Sequence, residues 1–286
     1  MLTMKKKNNK FDCYITIDYE EWYHIEYLKQ YKVQQNNITC CDKIDDFIIR
    51  LGKENIPTTF FVVSDICENN IKTLKLVLNY KNKIGCHTSN HENLKNLSTQ
   101  EFKEQVYYAK SIIEKLLNIT VDSFRAPSFS ANVEKIKALS DIGFLIDSSY
   151  IDSGANEYYE KNDLSDWIVI KKCVYKDPSS NLVEYEIPTM AIGKKRFPIG
   201  GGGFFRLIPL WILKPLIKKY IRENNYYMFF IHPYEISGID LPITKKLPFK
   251  YRFRLNYGRK NAQKKFWKLI KFLKKNGAVF KTLGNN

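Results

Sequence analysis

All four histidines of this chain lie in short segments that follow apolar, strand-like runs. His24 comes soon after CYITID, His87 and His91 follow KIGC, and His232 follows YYMFFI. Histidine is the commonest metal ligand in proteins and the side chain best suited to proton transfer near neutral pH. These segments are therefore expected to build one chemical site.

Charged side chains occupy the same position, just past an apolar run, elsewhere in the chain. Asp18 and Glu20 stand in TIDYEEW, Arg125 in SFRAPSF and Asp147 in FLIDSS. When acids, a base and imidazoles recur at the ends of successive strands, they meet at the C-terminal edge of a barrel or an open sheet. The sequence thus predicts an active site at such a rim.

The spacing of His87 and His91 favours a divalent metal site. Two imidazoles and one carboxylate leave coordination positions open for water, as a catalytic divalent ion requires. A histidine pair on a helix surface is the alternative, but the preceding KIGC run places His87 at the end of a strand. Asp18 and Glu20 are two residues apart on one strand face, which supplies one carboxylate for the metal and one for a proton.

The order of strands and helices predicts an α/β fold with a parallel sheet. Helical patterns cover residues 42–55, 68–80, 99–117 and 131–141, and they alternate with the runs CYITID, TTFFVV, KIGCH, SFRAP and GFLIDSS. This alternation implies parallel strands with right-handed crossovers. Ser98 and Glu101 predict a capping box at the start of the third helix. Residues 150–198 lose the rhythm, and WIVI and VEYEIP indicate short strands of an insertion or of an irregular barrel sector.

Four consecutive glycines, residues 200–203, stand between a strand pattern and a helix pattern. Backbone N–H groups at such a junction can cradle a phosphate, but the run lacks the GxxxxGK[ST] and GxGxxG spacings. The favoured interpretation is a close-approach turn that lines the pocket. The apolar, lysine-containing helix that follows is expected to pack in the core, with insertion at a membrane surface as the alternative.

Composition indicates a globular protein of one large domain, or at most two. The chain has 286 residues, 44% of them apolar, and its longest apolar stretches are too short to span a bilayer. Six cysteines without a CxxC pair predict reduced, buried thiols rather than a zinc knuckle or a disulfide framework. The basic N-terminus lacks the apolar segment of a signal peptide, so a cytoplasmic location is expected.

The formal charge of +16 is concentrated near the C-terminus. From Leu241 to Asn286 there is no Asp or Glu, whereas fourteen Lys and Arg residues occur there. Such a segment attracts polyanions, and we expect an anionic membrane surface or an acidic glycan as partner, and no nucleic acid. A solvated lysine face without any partner is the alternative.

Six motifs carry a family resemblance. TIDYEEWYH, TTFFVV, GCHTSNHENL, FRAPSFS, GFLIDSS and FFIHPYE, in this order, resemble the motifs of the polysaccharide deacetylase (NodB-homology, carbohydrate esterase 4-like) superfamily. FPIGGGGFFRLIP, HPYEI and YRFRLNYGRKNA further resemble the subgroup found with exopolysaccharide and capsule biosynthesis. The resemblance implies a distorted (β/α) barrel of about seven parallel strands with its active site at the C-terminal rim.

The resemblance also implies roles for the charged residues. Family members commonly use two adjacent Asp residues, but here Asp18 is followed by Tyr19. By similarity to members with an acid-x-acid arrangement, Asp18 is expected to be the general base and Glu20 the metal ligand beside the HxxxH pair, although these roles could be exchanged. Arg125 matches the RxP motif and would pair with Asp18, with Asp147 positioning Arg125 in turn. An ordinary buried salt bridge is the alternative for the Arg125 pair.

The late histidine of the family, which protonates the leaving amine, is matched by His232. Aromatic residues are expected to shape the acetyl pocket and to stack on the sugar: Phe230 for the pocket, and Trp22, Tyr23 and Phe129 for stacking. A place in the hydrophobic core is the alternative for each of them. His24 has no counterpart in the family motifs and is expected to line the pocket at most. Glu21 is expected to be solvated or to support the other carboxylates.

The function implied by the resemblance is metal-dependent removal of N-acetyl groups from an amino sugar of a surface polysaccharide or its precursor. Zinc is the expected metal, and the substrate is expected to be an N-acetylated glycan or a lipid- or nucleotide-linked sugar. The alternatives are a different amide hydrolase on this fold and a non-catalytic glycan- or lipid-binding module. The expected organisation is a flexible basic tail (residues 1–10), a catalytic domain (11–240) and a basic extension packed on it (241–286). Peripheral contact with the inner face of the membrane is part of this expectation.

Overall fold

The computed structural model of the protein describes residues 10–31, 38–153, 159–193, 195–241 and 247–285. The expected tail lies outside the described residues except for Lys10, and so do Lys245 and Lys246 of the basic extension. The strands are β1 (Phe11–Tyr19), β2 (Thr58–Val62), β3 (Lys83–Cys86), β4 (Ser123–Phe124), β5 (Ile146–Asp147), β6 (Ile168–Lys171), β7 (Val174–Lys176), β8 (Val183–Tyr185), β9 (Thr189–Ile192), β10 (Lys195–Pro198), β11 (Tyr226–Ile231) and β12 (Ala278–Lys281).

The main sheet is built around β1, whose side chains are nearly all buried. Seven strands pair in parallel in the order β11, β1, β2, β3, β4, β5 and β8, and β12 adds a further parallel partner beside the first half of β1. Antiparallel strands β7 and β6 then extend the edge at β8, and β9 and β10 form a separate hairpin. The parallel strands form the curled sheet of a distorted barrel, which confirms the predicted fold class.

The glycine run fills the gap between β8 and β11. Ile199 N donates to Pro188 O (2.9 Å), and Phe230 N donates to Gly200 O (2.7 Å), so the run bridges the segment after β8 to β11. Gly201 has a φ of 138°, and a Cβ at this position would lie 2.0 Å from Phe230 O. Only glycine permits such an approach. The run is therefore a close-approach turn, as the favoured interpretation held, and its backbone contacts are to β11.

Helices alternate with the strands, and most bury their apolar faces in the same core as the sheet. They are α1 (Glu26–Lys29), α2 (Asp45–Lys53), α3 (Ile71–Asn79), α4 (Thr99–Leu117), α5 (Val133–Ala138), α6 (Gly202–Leu207), α7 (Leu210–Asn224), α8 (Pro233–Ile236), α9 (Phe249–Asn256) and α10 (Ala262–Lys275). Short 3-10 turns are formed by Trp22–His24, Cys41–Lys43, Ser64–Ile66, Glu68–Asn70, Pro127–Phe129, Ser140–Ile142 and Arg259–Asn261. Helices α1 and α9 contribute instead to a small second core. The four predicted helical patterns correspond to α2, α3, α4 and α5.

Two sequence signals in this region have a clear structural outcome. The capping box of α4 is present, since Ser98 accepts a hydrogen bond from Glu101 N while the Glu101 carboxylate accepts one from Ser98 N. WIVI lies in the edge strand β6, whereas VEYEIP contributes β8, which continues the parallel sheet. The irregular middle of the chain thus supplies both a barrel strand and an antiparallel edge.

The basic C-terminal segment is joined to the barrel at two places. Helix α10 buries Phe266, Leu269, Ile270 and Leu273 in the main core, and β12 pairs with β1. The six cysteines are free and buried, as predicted. Among the described residues, no helix is both long enough and apolar enough to cross a bilayer.

Candidate active site

The predicted functional side chains converge at the C-terminal ends of the parallel strands. Asp18 lies near the end of β1 and Glu20 just after it, while His87 follows β3, Arg125 follows β4 and His232 follows β11. Tyr19, between the two acids, points to the opposite face of the sheet, where its hydroxyl donates to Cys41 O (3.1 Å). The alternation of side chains along β1 therefore brings Asp18 and Glu20 to the same side, as the sequence predicted.

Glu20, His87 and His91 form a cluster that could hold a metal ion. One ligand atom from each lies within 4.8 Å of the other two, and all three residues are buried. Glu20 Oε2 lies 2.7 Å from His91 Nε2 yet lacks a hydrogen-bond donor in good geometry. Two imidazoles and a carboxylate that point to a common centre beside an open cavity fit a divalent catalytic ion. Burial opposes ionisation of Glu20, but the neighbouring His91 lowers the pKa of its carboxyl below the usual range.

His87 is held in an orientation that suits a metal ligand. Its Nδ1 lies 2.7 Å from Arg125 O, and because a carbonyl can only accept, Nδ1 carries the proton and Nε2 is left for a ligand. Burial lowers the pKa of His87 to about 4, so the ring is neutral near pH 7. His91 reaches the same centre from a loop rather than a helix, with positive φ values at Thr88 and at His91 itself.

Asp18 is held by Arg125 at the base of the cavity. Arg125 Nη1 donates to Asp18 Oδ1 (2.6 Å) and to Thr16 Oγ1 (2.7 Å), and the guanidinium lies over the Phe61 ring at 4.3 Å. The other oxygen, Asp18 Oδ2, faces His232 Nε2 at 3.8 Å. Asp18 is thus fixed through one oxygen and keeps the other directed into the site.

The prediction that Asp147 positions Arg125 is not what the geometry shows. Arg125 donates to Ser148 O (3.0 Å) and to Ser148 Oγ (2.8 Å), whereas the Asp147 carboxylate accepts from Ser149 N (3.1 Å) and Ser149 Oγ (2.7 Å). Adjacent residues at the end of a strand face opposite sides, so Ser148 faces Arg125 and Asp147 faces Glu184 on β8. Burial raises the pKa of both Asp147 and Glu184, so this pair holds a proton more firmly than isolated carboxyls do.

His232 is supported by a chain of two buried ionic contacts. His232 Nδ1 lies 2.8 Å from Glu235 Oε2, and Arg206 Nε donates to Glu235 Oε1 (2.5 Å). Burial alone would lower the pKa of His232. The nearby carboxylates of Glu235, Glu20 and Asp18 outweigh burial and raise this pKa to about 9. Burial likewise opposes ionisation of Glu235, and Arg206 and His232 lower its pKa to about 2. His232 is therefore cationic near neutral pH and presents Nε2 to the cavity.

The two acids of the β1 segment and three of the histidines meet at one cavity of about 250 Å³. Its wall includes both acids, His87, His91 and His232, together with the glycines at 201–203. The aromatic residues in the lining are Tyr27, Phe129, Tyr159, Phe204, Phe230 and Tyr234. The volume lies just below the range typical of small-molecule pockets, so the cavity can enclose only a small chemical group.

Two predicted stacking residues, Trp22 and Tyr23, do not line this cavity. Trp22 is buried in a small second core and donates its indole N–H to Ile38 O (2.9 Å). Tyr23 packs with its ring edge against Trp22 and His24. Both residues lie in the 3-10 turn that follows β1, and this turn directs them away from the strand face that carries the acids. Phe129 and Phe230 do line the cavity, 5.4 Å apart between ring centroids.

His24 and Glu21, the other candidates in the segment after β1, lie outside the cavity lining. His24 stacks on His91 at 6.3 Å between ring centroids and contacts Asp65 through Nε2 at 3.3 Å, but it is absent from the cavity lining. Glu21 is buried and accepts from Cys40 N (2.7 Å) and Cys41 N (2.9 Å). Glu21 therefore fixes the loop after β1 and is neither solvated nor in contact with the other carboxylates.

Sequence reasoning assigned no role to Glu235, Arg206 or Ser148, although their motifs were visible. Glu235 stands three residues after His232 in HPYE, and Arg206 stands in FFRLIP after the glycine run. A carboxylate on the first turn of a helix that begins at a histidine can reach back to that histidine, which was the available signal for Glu235. Nothing in the sequence links Arg206 to Glu235, because the pair forms only when α6 meets α8.

Two family models match the chain. One, described as "Polysaccharide deacetylase", matches residues 42–146, and the other, described as "Domain of unknown function (DUF3473)", matches residues 162–279. His87, His91 and Arg125 lie in the first match. The second contains His232 and Glu235, so both matches contribute to one cavity.

Two curated relatives match part of the chain. Chitin deacetylase 1 of Cryptococcus neoformans is 28% identical over 115 residues, which are 40% of this chain and 24% of that protein. The peptidoglycan-N-acetylglucosamine deacetylase of Bacillus cereus is 25% identical over 97 residues, 34% of this chain and 35% of that protein. The matched segment thus spans about a quarter to a third of the length of these relatives.

Solved structures show the same fold at low sequence identity. A candidate polysaccharide deacetylase from Mycobacterium smegmatis superposes with a TM-score of 0.62 at 13% identity, covering 96% of this chain and 88% of that one. A CE4-family pseudoenzyme from Bacillus anthracis gives a TM-score of 0.50 at 15% identity, covering 92% and 62%. Its mutant with restored enzymatic activity gives a TM-score of 0.54 at 16% identity, covering 96% and 67%.

Proposed function

We propose that this chain, which belongs to the NodB-homology polysaccharide deacetylase superfamily, is a metal-dependent hydrolase that removes N-acetyl groups from an amino sugar of a surface polysaccharide or its precursor. One observation carries the proposal: Asp18, tethered by Arg125, faces His232 across a cavity that also contains the Glu20, His87 and His91 cluster. A candidate base, a candidate acid and a candidate metal site are thus within reach of one amide.

Glu20, His87 and His91 would hold a divalent metal, and we propose zinc because imidazole and carboxylate are among its preferred ligands. A divalent ion at this position supplies Lewis acidity, which polarises the amide carbonyl and makes water a better nucleophile. Asp18 lies outside this three-residue cluster. This separation supports Glu20 as the ligand and leaves Asp18 for proton transfer.

The proposed reaction is hydrolysis of the acetamide. Asp18 takes a proton from the attacking water through its free oxygen, Oδ2, while Arg125 holds Oδ1. The water oxygen forms a bond to the carbonyl carbon, the carbon–nitrogen bond breaks, and acetate and a free amine result.

His232 is the proposed proton donor to the departing nitrogen. Its Nε2 faces the cavity near Asp18 and Glu20, at 3.8 and 3.7 Å from their carboxylates. Glu235 holds Nδ1 and Arg206 holds Glu235, so the ring is oriented from behind while its other nitrogen stays available. We assign Glu235 and Arg206 as positioning residues, because Glu235 is absent from the cavity lining and Arg206, which reaches the lining, is held to Glu235. Phe230 and Phe129 provide the apolar wall against which an acetyl methyl group would pack.

Acetate release from soluble N-acetylglucosamine oligosaccharides and from peptidoglycan fragments tests this proposal. The purified protein should release acetate when loaded with zinc, and Asp18→Asn should abolish most of that release while the folded state and the bound metal remain. Oligosaccharide binding without turnover at any divalent metal would instead indicate a glycan-binding module. Turnover of small non-sugar amides alone would indicate a different amide hydrolase. The cytoplasmic location stays a prediction, which fractionation of cells producing the full chain would test.

A further inference from the structure

Helix α9 presents a row of aromatic side chains to solvent. Phe249, Phe253 and Tyr257, the last just past the helix end, are 72%, 45% and 47% exposed, and their rings contact one another at 6.2 and 4.8 Å. The opposite side of the helix is fixed to the protein, because Leu255 is buried and the Tyr251 ring stacks on Tyr27 at 4.9 Å. The row is thus a rigid feature of the folded surface.

A second exposed apolar group lies at the end of α6 and the start of α7. Leu207, at the end of α6, is 37% exposed, and Trp211, in the first turn of α7, is 76% exposed. The Arg206 guanidinium donates to Arg254 O (2.9 Å) and to Tyr257 O (2.7 Å), which joins α6 to the end of α9. Leu207 and Arg254 also line the cavity. We call Leu207, Trp211, Phe249, Phe253 and Tyr257 the rim surface.

Cations are interleaved with the aromatic residues of the rim surface. Lys250 is exposed and Arg252 partly exposed on the same helix, whereas the Arg254 guanidinium lies over the Tyr27 ring at 5.1 Å and lines the cavity. The sequence contains no acidic residue from Leu241 onward. Exposed aromatic side chains beside Lys and Arg are typical of surfaces that insert among lipid headgroups. Each cation that reaches an anionic lipid surface adds on the order of 1 kcal/mol. A segment rich in Lys and Arg and without a carboxylate complements an anionic surface, whereas a neutral N-acetylated glycan carries no charge to pair with it, which favours anionic lipid.

We propose that the rim surface docks on an anionic lipid bilayer and thereby presents the cavity to amino sugars held at that surface by a lipid anchor. This inference rests on the proposed deacetylase function for the nature of the substrate, and on the rim surface alone for the docking. Because Arg206 links α9 to Glu235 as well, the docking surface and the candidate acid His232 are parts of one rigid assembly.

Flotation with lipid vesicles tests the docking. The protein should float with vesicles of phosphatidylcholine and phosphatidylglycerol, float weakly with phosphatidylcholine alone, and lose binding in high salt because exposed charges are screened. Phe249→Ser combined with Phe253→Ser should weaken partitioning about tenfold or more, as expected when two phenyl rings no longer leave water. The matched control is Tyr107→Ser combined with Tyr108→Ser, an exposed aromatic pair on α4 remote from the cavity lining, which should float unchanged.

Activity on two substrates separates this inference from the proposed function. The Phe249→Ser, Phe253→Ser variant should keep its acetate release from soluble oligosaccharides and lose at least about tenfold with a lipid-linked N-acetylglucosamine in vesicles. Asp18→Asn should float like the unaltered protein, so a failed activity assay leaves flotation informative. Equal flotation with neutral and anionic vesicles, no flotation, or undiminished flotation of the Phe249→Ser, Phe253→Ser variant would overturn the docking. Loss of soluble-oligosaccharide binding in that variant would identify the rim surface as a glycan platform instead.

Discussion

The two sides of the cavity are held in place in different ways. On one side, His87 and Arg125 follow neighbouring parallel strands, and the imidazole is fixed by a backbone carbonyl. On the other side, His232 follows β11, but its orientation depends on Glu235 and Arg206, two side chains 29 residues apart. The position of the candidate metal ligands is therefore determined by sheet topology. The orientation of the candidate acid His232 depends instead on a series of hydrogen bonds through Glu235 and Arg206 to the C-terminal segment.

This difference implies that substitutions on the two sides will fail in different ways. Removing a ligand on the metal side should remove the ion together with the chemistry, while the sheet that positions the site survives. Removing a support on the acid side should leave the ion bound and reduce turnover gradually, because His232 remains present but less well oriented. Measuring metal content and turnover separately distinguishes the two behaviours.

The largest expected effect is loss of the metal. His87→Ala or His91→Ala removes one of three ligands, so bound divalent metal should fall from about one per chain to near zero and acetate release should become undetectable. Elemental analysis of the purified variants measures this. His24→Ala is the matched control, because its ring stacks on His91 yet lies outside the three-residue cluster. Unchanged metal in both ligand variants would rule out this site.

The next effect distinguishes the two carboxylates of β1. Asp18→Asn should keep the metal and lose roughly 10²–10⁴-fold in turnover, the usual contribution of a positioned acid or base. Glu20→Gln should weaken metal binding more than Asp18→Asn does, because Glu20 belongs to the three-residue cluster and Asp18 does not. Metal titration of both variants tests this. The opposite ranking would show that the two roles are exchanged.

A smaller loss is expected at Glu235. Glu235→Gln removes the charge behind His232 but keeps a similar shape, and supporting residues of this kind typically contribute about 10–100-fold. The loss should appear in kcat with little change in KM or metal content, and Glu235→Asp should recover part of it. Glu186→Gln, a buried glutamate that contacts Tyr175 away from the cavity, is the control. An equal loss in that control would indicate a general effect of buried-charge removal.

The sequence was most informative where strand periodicity alone determines position. Asp18 and Glu20 face the same side because side chains alternate along β1, and His87 and Arg125 meet because parallel strands end at one edge. The fold class followed from the same alternation of strands and helices. These features depend on local pattern and on the handedness of crossovers, and both can be read from the sequence.

Prediction failed where orientation depends on tertiary contacts. β5 is only two residues long, so its pattern did not tell which of Asp147 and Ser148 faces Arg125. The pair of Glu235 and Arg206 forms only when two distant helices meet. Trp22 was a candidate for stacking on the sugar with the core as its alternative, and the chain turns after β1 and carries it into a separate core.

The smallest predicted effects concern two aromatic residues, Phe129, which lines the cavity, and Trp22, which lies in the second core. Phe129→Leu keeps most of the volume but removes the ring from the cavity wall, so KM for an oligosaccharide should rise about three- to tenfold, corresponding to ~0.5–1.5 kcal/mol of aromatic contact. Trp22→Phe should leave KM unchanged and lower the free energy of unfolding by about 0.5–1.5 kcal/mol, because the partly buried hydrogen bond to Ile38 O is lost. Steady-state kinetics and chemical denaturation of both variants measure these quantities. A rise in KM for Trp22→Phe would instead show that Trp22 contacts the substrate, because a residue confined to the second core should affect stability alone.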